Sequence, residues 1–154
     1  MSEGGGIPQQ EAQGDAILAR AGERANEMSL AYAGAVTPVE AHRLREEGRA
    51  TIVDIRTPPE WKFVGHVPDA PLIEWPREGD RTAYEAFVAE IRARFDFDDN
   101  LLLICRSGVR SHYAAELLTH AGFRGAYNVL EGFEGDQGAG MNGWRAANLP
   151  WKKG

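Results

Sequence analysis

Two short apolar runs constrain this chain most. ATIVDI at residues 50–55 and LLLIC at 101–105 are nearly free of polar residues, and both are too short to stand as helices. A strand apolar on both faces belongs inside a parallel sheet, where helices cover either side. Helical patterns alternate with these runs. In TPVEAHRLREEG, Thr37 reads as an N-cap, Pro38 occupies the first helical position, Glu40 completes a capping box and Gly48 stops the helix. Over 82–95, Phe87, Ile91 and Phe95 recur every four residues, and Thr82 with Glu85 reads as a second capping box. Residues 110–121 carry Ala114, Ala115, Leu117 and Leu118 inward, with Gly122 closing the helix. Tyr127–Leu130 reads as a third short strand, and PLIEW at 71–75 as a further one. Alternation of strands and helices implies an α/β fold with a mostly parallel sheet.

The flanks read differently. Residues 1–14 are rich in Gly and Gln, which predicts disorder. From Asp15, a candidate N-cap, Ile17, Ala21, Ala25, Met28 and Tyr32 fall on one helical face, with Gly34 ending the helix. Residues 15–36 are thus expected to form an N-terminal helical extension, and 37–154 the main domain. The Gly-rich acidic stretch 131–143 reads as a loop, followed by a helical turn near Trp144–Trp151.

Charge and residue usage exclude several classes. With 17 basic and 23 acidic residues, net −6, the chain lacks the broad basic surface of a nucleic-acid binder. A single cysteine excludes an internal disulfide and a Cys-rich zinc site, and the four histidines show no metal-ligand spacing. No metal or organic cofactor is expected. No run approaches the length of a membrane helix, and the first residues lack the basic and apolar regions of a secretory leader. The expected location is cytoplasmic.

Attention falls on CRSGVRS, residues 105–111. Cys105 ends an apolar strand, two arginines follow it closely, and a helix starts near Arg110 or Ser111. In open α/β sheets, ligands bind beyond the carboxyl ends of strands. Arg106, Ser107, Gly108 and Val109 must wrap a tight loop whose amides converge, and Gly108 permits a positive φ there. Converging amides at a helix start make an anion site, and the same field favours a thiolate. Arg106 and Arg110 add positive charge that can fork onto an oxyanion.

In this order along the chain, the motifs resemble those of the rhodanese-like sulfurtransferases. Cys105–Ser111 resembles the active-site loop. Val53-Asp54-Ile55-Arg56, Glu60-Trp61 and Gly65-His66-Val67-Pro68-Asp69-Ala70 resemble the N-terminal signature. Asn128-Val129-Leu130-Glu131-Gly132-Phe133, then Gly143-Trp144 and Leu149-Pro150, resemble the C-terminal one. The resemblance covers about residues 37–151 and implies a five-stranded parallel sheet flanked by helices. Related phosphatases and arsenate reductases of this fold place five residues between cysteine and arginine. Here four separate Cys105 from Arg110, a tighter ring that suits a sulfur atom on the cysteine.

The resemblance implies a sulfurtransferase working by double displacement through a persulfide on Cys105, with thiosulfate or a similar small anion as donor. The acceptor would be cyanide or a thiol, with a protein sulfur acceptor as a further option. Neither nucleic acid nor membrane is an expected partner. Arg106 and Arg110 are candidates for the donor's sulfonate, with Arg110 alternatively paired to an acid and bracing the loop. Backbone amides of Ser107, Gly108, Val109, Arg110 and Ser111 would hold the persulfide anion. Asp54 and Arg56 would support the loop. His66 reads as structural, His112 and Tyr113 as helix-surface residues, and Trp75 and Trp144 as packing. A persulfide carrier and a non-catalytic interaction module are the alternatives.

Overall fold

The computed structural model describes the backbone of residues 6–154 and the side chains of 13–136 and 138–154. Four strands form one parallel sheet: β1 (Gly34–Val36), β2 (Thr51–Asp54), β3 (Asn100–Ile104) and β4 (Gly125–Val129). Their order is β1-β4-β3-β2. β3 pairs Thr51 with Leu101 on one side and Asn100 with Gly125 on the other. The helices are α1 (Gly6–Glu27), α2 (Pro38–Glu46), α3 (Arg81–Arg94), α4 (Val109–His120) and the single turn α5 (Gly143–Ala146).

Side-chain alternation along the strands divides the core in two. Val53, Leu101, Leu103 and Cys105 point to one face, where Phe87 and Ile91 of α3 and Ala114, Ala115 and Leu118 of α4 cover them. Ile52, Leu102, Ile104, Tyr127 and Val129 point to the other, against Ala21 of α1, Ala41 and Leu44 of α2, and Trp144. Cys105 continues the Leu101–Leu103 series. The period of two therefore aims its sulfur at the start of α4.

The α/β class and parallel sheet match the sequence reading; the strand count does not. PLIEW is not a strand. Only Leu72 makes a bridge, to Asp54, although Trp75 N–H also donates to the Ile55 carbonyl at 3.0 Å. Pro71 and Pro76 lack the N–H groups that would extend this edge. The opposite edge is β1, which the sequence reading absorbed into the end of the first helix. That helix instead closes at Glu27, where Ser29 takes a left-handed φ of 55° and Leu30 N–H returns to the Ala25 carbonyl at 2.8 Å. Tyr32 thus lies beyond the helix.

Gly34 belongs to β1, paired with Tyr127 of β4, and is glycine because a Cβ there would sit 2.5 Å from the Ala21 carbonyl oxygen. At the other end α1 begins at Gly6, so residues 6–14 are helical where composition predicted disorder; residues 1–5 lie outside the described region. The Thr37–Glu40 capping box is present. That at Thr82–Glu85 is not: Asp80 caps α3 by accepting from the Ala83 N–H at 3.0 Å, and Glu85 pairs with Arg81.

Among the described residues no helix is long and apolar enough to cross a membrane, and no group of three metal-ligating side chains gathers.

Candidate active site

Cys105 follows the last residue of β3 and is buried, with 1% of its surface exposed. The chain then turns through Gly108, whose φ of 100° is strained for any residue with a Cβ, and enters α4 at Val109. This turn folds the loop amides back onto the sulfur. The Gly108 N–H donates to Sγ at 3.1 Å and the Ser111 N–H at 3.4 Å. The Ser111 hydroxyl lies 3.2 Å from Sγ. Both amides belong to the first turn of α4 or to its cap, where a helix leaves its N–H groups unpaired. They form a cradle for negative charge at the sulfur.

Asn128, on β4, locks this cradle. Its Oδ1 accepts the Ser111 hydroxyl at 2.5 Å, and its Nδ2 donates to the Gly108 carbonyl at 3.1 Å. One side chain thus holds both ends of the turn. The segment after β4 closes the loop from behind. Phe133 N–H donates to the Cys105 carbonyl at 2.8 Å, and the N–H groups of Glu134 and Gly135 reach the Arg106 carbonyl at 3.0 and 3.2 Å. Gly132 is required here, since a Cβ would stand 2.5 Å from the Arg106 carbonyl oxygen. The Gly-rich stretch therefore folds against the site.

The two loop arginines differ. Arg110 makes a two-pronged pair with Glu60, both bonds 2.9 Å. Glu60 opens a wide π turn, Glu60–Val64, and also accepts the N–H and hydroxyl of Thr57. Burial pushes the Glu60 carboxyl up, but Arg110 and Thr57 outweigh it and hold the pKa at about 2. Hydrogen bonding to Glu60 raises Arg110 against its partial burial. Arg110 thus braces the loop, one of the two options left open by sequence. The Arg106 side chain is 65% exposed and meets Glu134 only at 3.6 Å.

Because Glu60 is depressed from 4.5, its stabilising contribution is present above pH 4.5 and is lost as pH falls toward 2. Glu60→Gln is expected to flatten the acid limb of stability in that window and to cost about 1 kcal/mol at neutral pH, the range of a partly exposed pair. Urea unfolding across pH measures both.

Among the described residues, no hydrogen bond joins the Asp54 or Arg56 side chain to the Cys105 loop; the two bind each other. Asp54 Oδ2 accepts from Arg56 Nη2 at 2.7 Å, and Asp54 Oδ1 accepts from the Arg56 backbone N–H and Nε at 3.0 Å each. Arg56 also donates to the Gly65 carbonyl at 2.7 Å and lies over the Phe133 ring at 4.4 Å. These contacts tie the end of β2 to the Gly65 and Phe133 segments. His66 stacks on Trp61 at 3.5 Å with Nδ1 3.0 Å from the Trp61 carbonyl, and Trp144 is fully buried. Trp75 packs on Tyr84 and Phe87, and Tyr113 is exposed. His112 is half-buried and meets Tyr32.

Asn128, Glu60 and Glu134 are the residues that sequence reasoning left without a role at the site. The first two stood inside quoted motifs, but no local spacing links them to residue 105.

Residues 37–139 match the Rhodanese family, described as a rhodanese-like domain. The chain belongs to the rhodanese family. The crystal structure of Rv0390 from M. tuberculosis resembles this chain at 43% identity, TM-score 0.65, covering 80% of this chain and 99% of that one. The thiosulfate sulfurtransferase GlpE of Pseudomonas aeruginosa (strain LESB58) is 34% identical, over 64% of this chain and 79% of its own. The uncharacterized protein RP600 of Rickettsia prowazekii is also 34% identical, over 67% and 83%. The rhodanese match begins at Thr37, so α1, Tyr32 and β1 lie ahead of it.

Proposed function

We propose that this rhodanese-family protein is a sulfurtransferase that carries a sulfane sulfur as a persulfide on Cys105. The observation that supports this most is the convergence of the Gly108 and Ser111 amides on one buried sulfur. Such donors stabilise a sulfur anion before and after transfer. The Cys105 thiolate attacks the outer sulfur of thiosulfate. A new S–S bond forms, the donor's S–S bond breaks, and sulfite leaves with the bonding pair. A thiol, or cyanide in an assay, then attacks the outer persulfide sulfur, and the Cys105 thiolate departs. The GlpE relative, named a thiosulfate sulfurtransferase, agrees with this donor.

Arg106 is the better candidate for the donor's sulfonate. Arg110 already spends its fork on Glu60, whereas Arg106 is exposed and loosely held. The test is thiocyanate formation against thiosulfate concentration. Saturable turnover is expected, with Arg106→Ala raising KM about tenfold and changing kcat little, as for an interaction made equally in ground and transition states. Loading of Cys105 only from a protein persulfide would instead indicate a carrier. No loading from either source would indicate an interaction module.

A further inference from the structure

A cavity of about 340 Å³ opens on the Arg110 side of the Cys105 loop. Trp75, Pro76, Arg77 and Tyr84 line it together with the Glu60–Arg110 pair. Arg106 lines a separate cavity, with Glu134 and Arg145. Two contacts place the first cavity beside the reactive sulfur. The Arg110 carbonyl carbon is bonded to the Ser111 nitrogen, which lies 3.4 Å from Sγ, so Arg110 starts within about 4.7 Å of the sulfur. Trp75 packs against the core cluster that contains Cys105, and its N–H donates to the Ile55 carbonyl. Ile55 N–H in turn donates to the carbonyl of Ile104, the residue before Cys105, at 3.0 Å.

The cavity has one uncompensated charge. Glu60 and Arg110 neutralise each other through two bonds of 2.9 Å. Arg77 is exposed and pairs with no carboxylate among the described residues. Its sequence neighbours Glu74 and Glu78 are exposed and stand outside the lining. The loop that carries Arg77 is seated on the cavity wall. Gly79 is required there, because a Cβ would overlap the Tyr84 ring. The Trp75 N–H anchors the loop at one end, and Asp80, the cap of α3, anchors it at the other. The Trp75 and Tyr84 rings, with centroids 5.0 Å apart, supply an apolar wall.

An apolar wall beside one free cation suits a small anion with a hydrocarbon body. We propose that this cavity receives the body of the sulfur acceptor, and that Arg77 selects a thiol carrying a carboxylate. The acceptor thiolate takes the position that sulfite leaves. It bonds to the outer persulfide sulfur, the bond from that sulfur to Cys105 Sγ breaks, and the pair returns to Sγ. The acceptor's chain lies on Trp75 and Tyr84, and its carboxylate meets the Arg77 guanidinium. Donor and acceptor are then told apart by different arginines, Arg106 and Arg77. Cyanide has no body to place in the cavity and gains nothing from it.

The assignment of an acceptor rests on the sulfurtransferase reading, and the experiment separates the two. Persulfide-loaded protein is discharged with 3-mercaptopropionate, 2-mercaptoethanol or cysteamine, and loss of the added sulfur is followed by mass. Comparing each thiol between native protein and variant cancels the thiol's own reactivity. Arg77→Gln is expected to lower the preference for 3-mercaptopropionate over 2-mercaptoethanol about fivefold, the upper range for a pair at an exposed side chain. Arg77→Lys keeps the charge and most of the preference. Arg77→Glu shifts the preference toward cysteamine. An unchanged ratio in Arg77→Gln, or an equal change for all three thiols, overturns the proposal.

A second readout needs no sulfane sulfur. 2-Carboxyethyl and 2-hydroxyethyl methanethiosulfonate deliver the same two thiol bodies to the resting Cys105 thiolate, which displaces methanesulfinate and becomes a mixed disulfide. Cys105 is the only cysteine, so one product reports the rate. The carboxyethyl reagent is expected to lose its advantage in Arg77→Gln by a similar factor. That loss in a protein that takes sulfur from no donor would leave the carboxylate site standing and sink the sulfurtransferase reading alone. Normal loading and discharge with neither ratio moved would sink the acceptor site alone.

Discussion

Cys105→Ser is expected to lower sulfur transfer by at least about a thousandfold while leaving the fold intact. Removing the nucleophile of a covalent mechanism costs that much or more, because the remaining groups act mainly on the intermediate it forms. A serine oxygen at 105 would still meet the Gly108 and Ser111 amides. It cannot hold a sulfane sulfur as a persulfide does, and at neutral pH it remains a hydroxyl. The side chain is small, buried and the only cysteine, so no second thiol can take over. Thiocyanate production and urea unfolding of the same sample separate lost chemistry from lost structure. Retained turnover in a folded Cys105→Ser protein would place the reaction elsewhere.

The largest stability effect is expected at Asp54. Both Asp54 and Arg56 have fully buried side chains, and Arg56 Nη1 has no hydrogen-bond partner among the described residues. Asp54→Ala would strand a guanidinium between the sheet and Phe133. Breaking one side of a buried pair costs about 3–5 kcal/mol, mostly because an uncompensated charge stays behind. Replacing both residues, as in Asp54→Leu with Arg56→Met, is expected to recover most of that loss, since the pair's attraction is largely offset by its desolvation. Urea midpoints at constant slope provide the comparison. A loss below about 1 kcal/mol for Asp54→Ala would show that Arg56 finds water or another partner.

What was legible in the sequence followed from local rules. The apolar runs 50–55 and 101–105 locate β2 and β3, because strands buried on both faces leave a continuous signal. The α2 capping box is visible because its partners, Thr37 and Glu40, stand three residues apart. The turn from Cys105 into α4 is visible through Gly108 and the change of period after it.

What was hidden depends on contacts distant in the chain. β1 is three residues long and exists because β4 pairs with it and Ala21 packs on Gly34. Asn128 reaches Ser111 across 17 positions, and Glu60 reaches Arg110 across 50. Ser29 takes the left-handed position where a glycine signal would be sought. The fate of Arg110 was undecidable locally, since a carboxylate and a sulfonate satisfy the same fork.

Whether Cys105 carries sulfur is decided by intact-mass spectrometry before and after thiosulfate. A gain of about 32 Da, one sulfur atom, is expected on the native protein, formed through the covalent step. That mass is lost on adding cyanide and never forms on Cys105→Ser. No added sulfur from thiosulfate, an organic persulfide or a protein donor would mean that Cys105 is not a sulfur carrier.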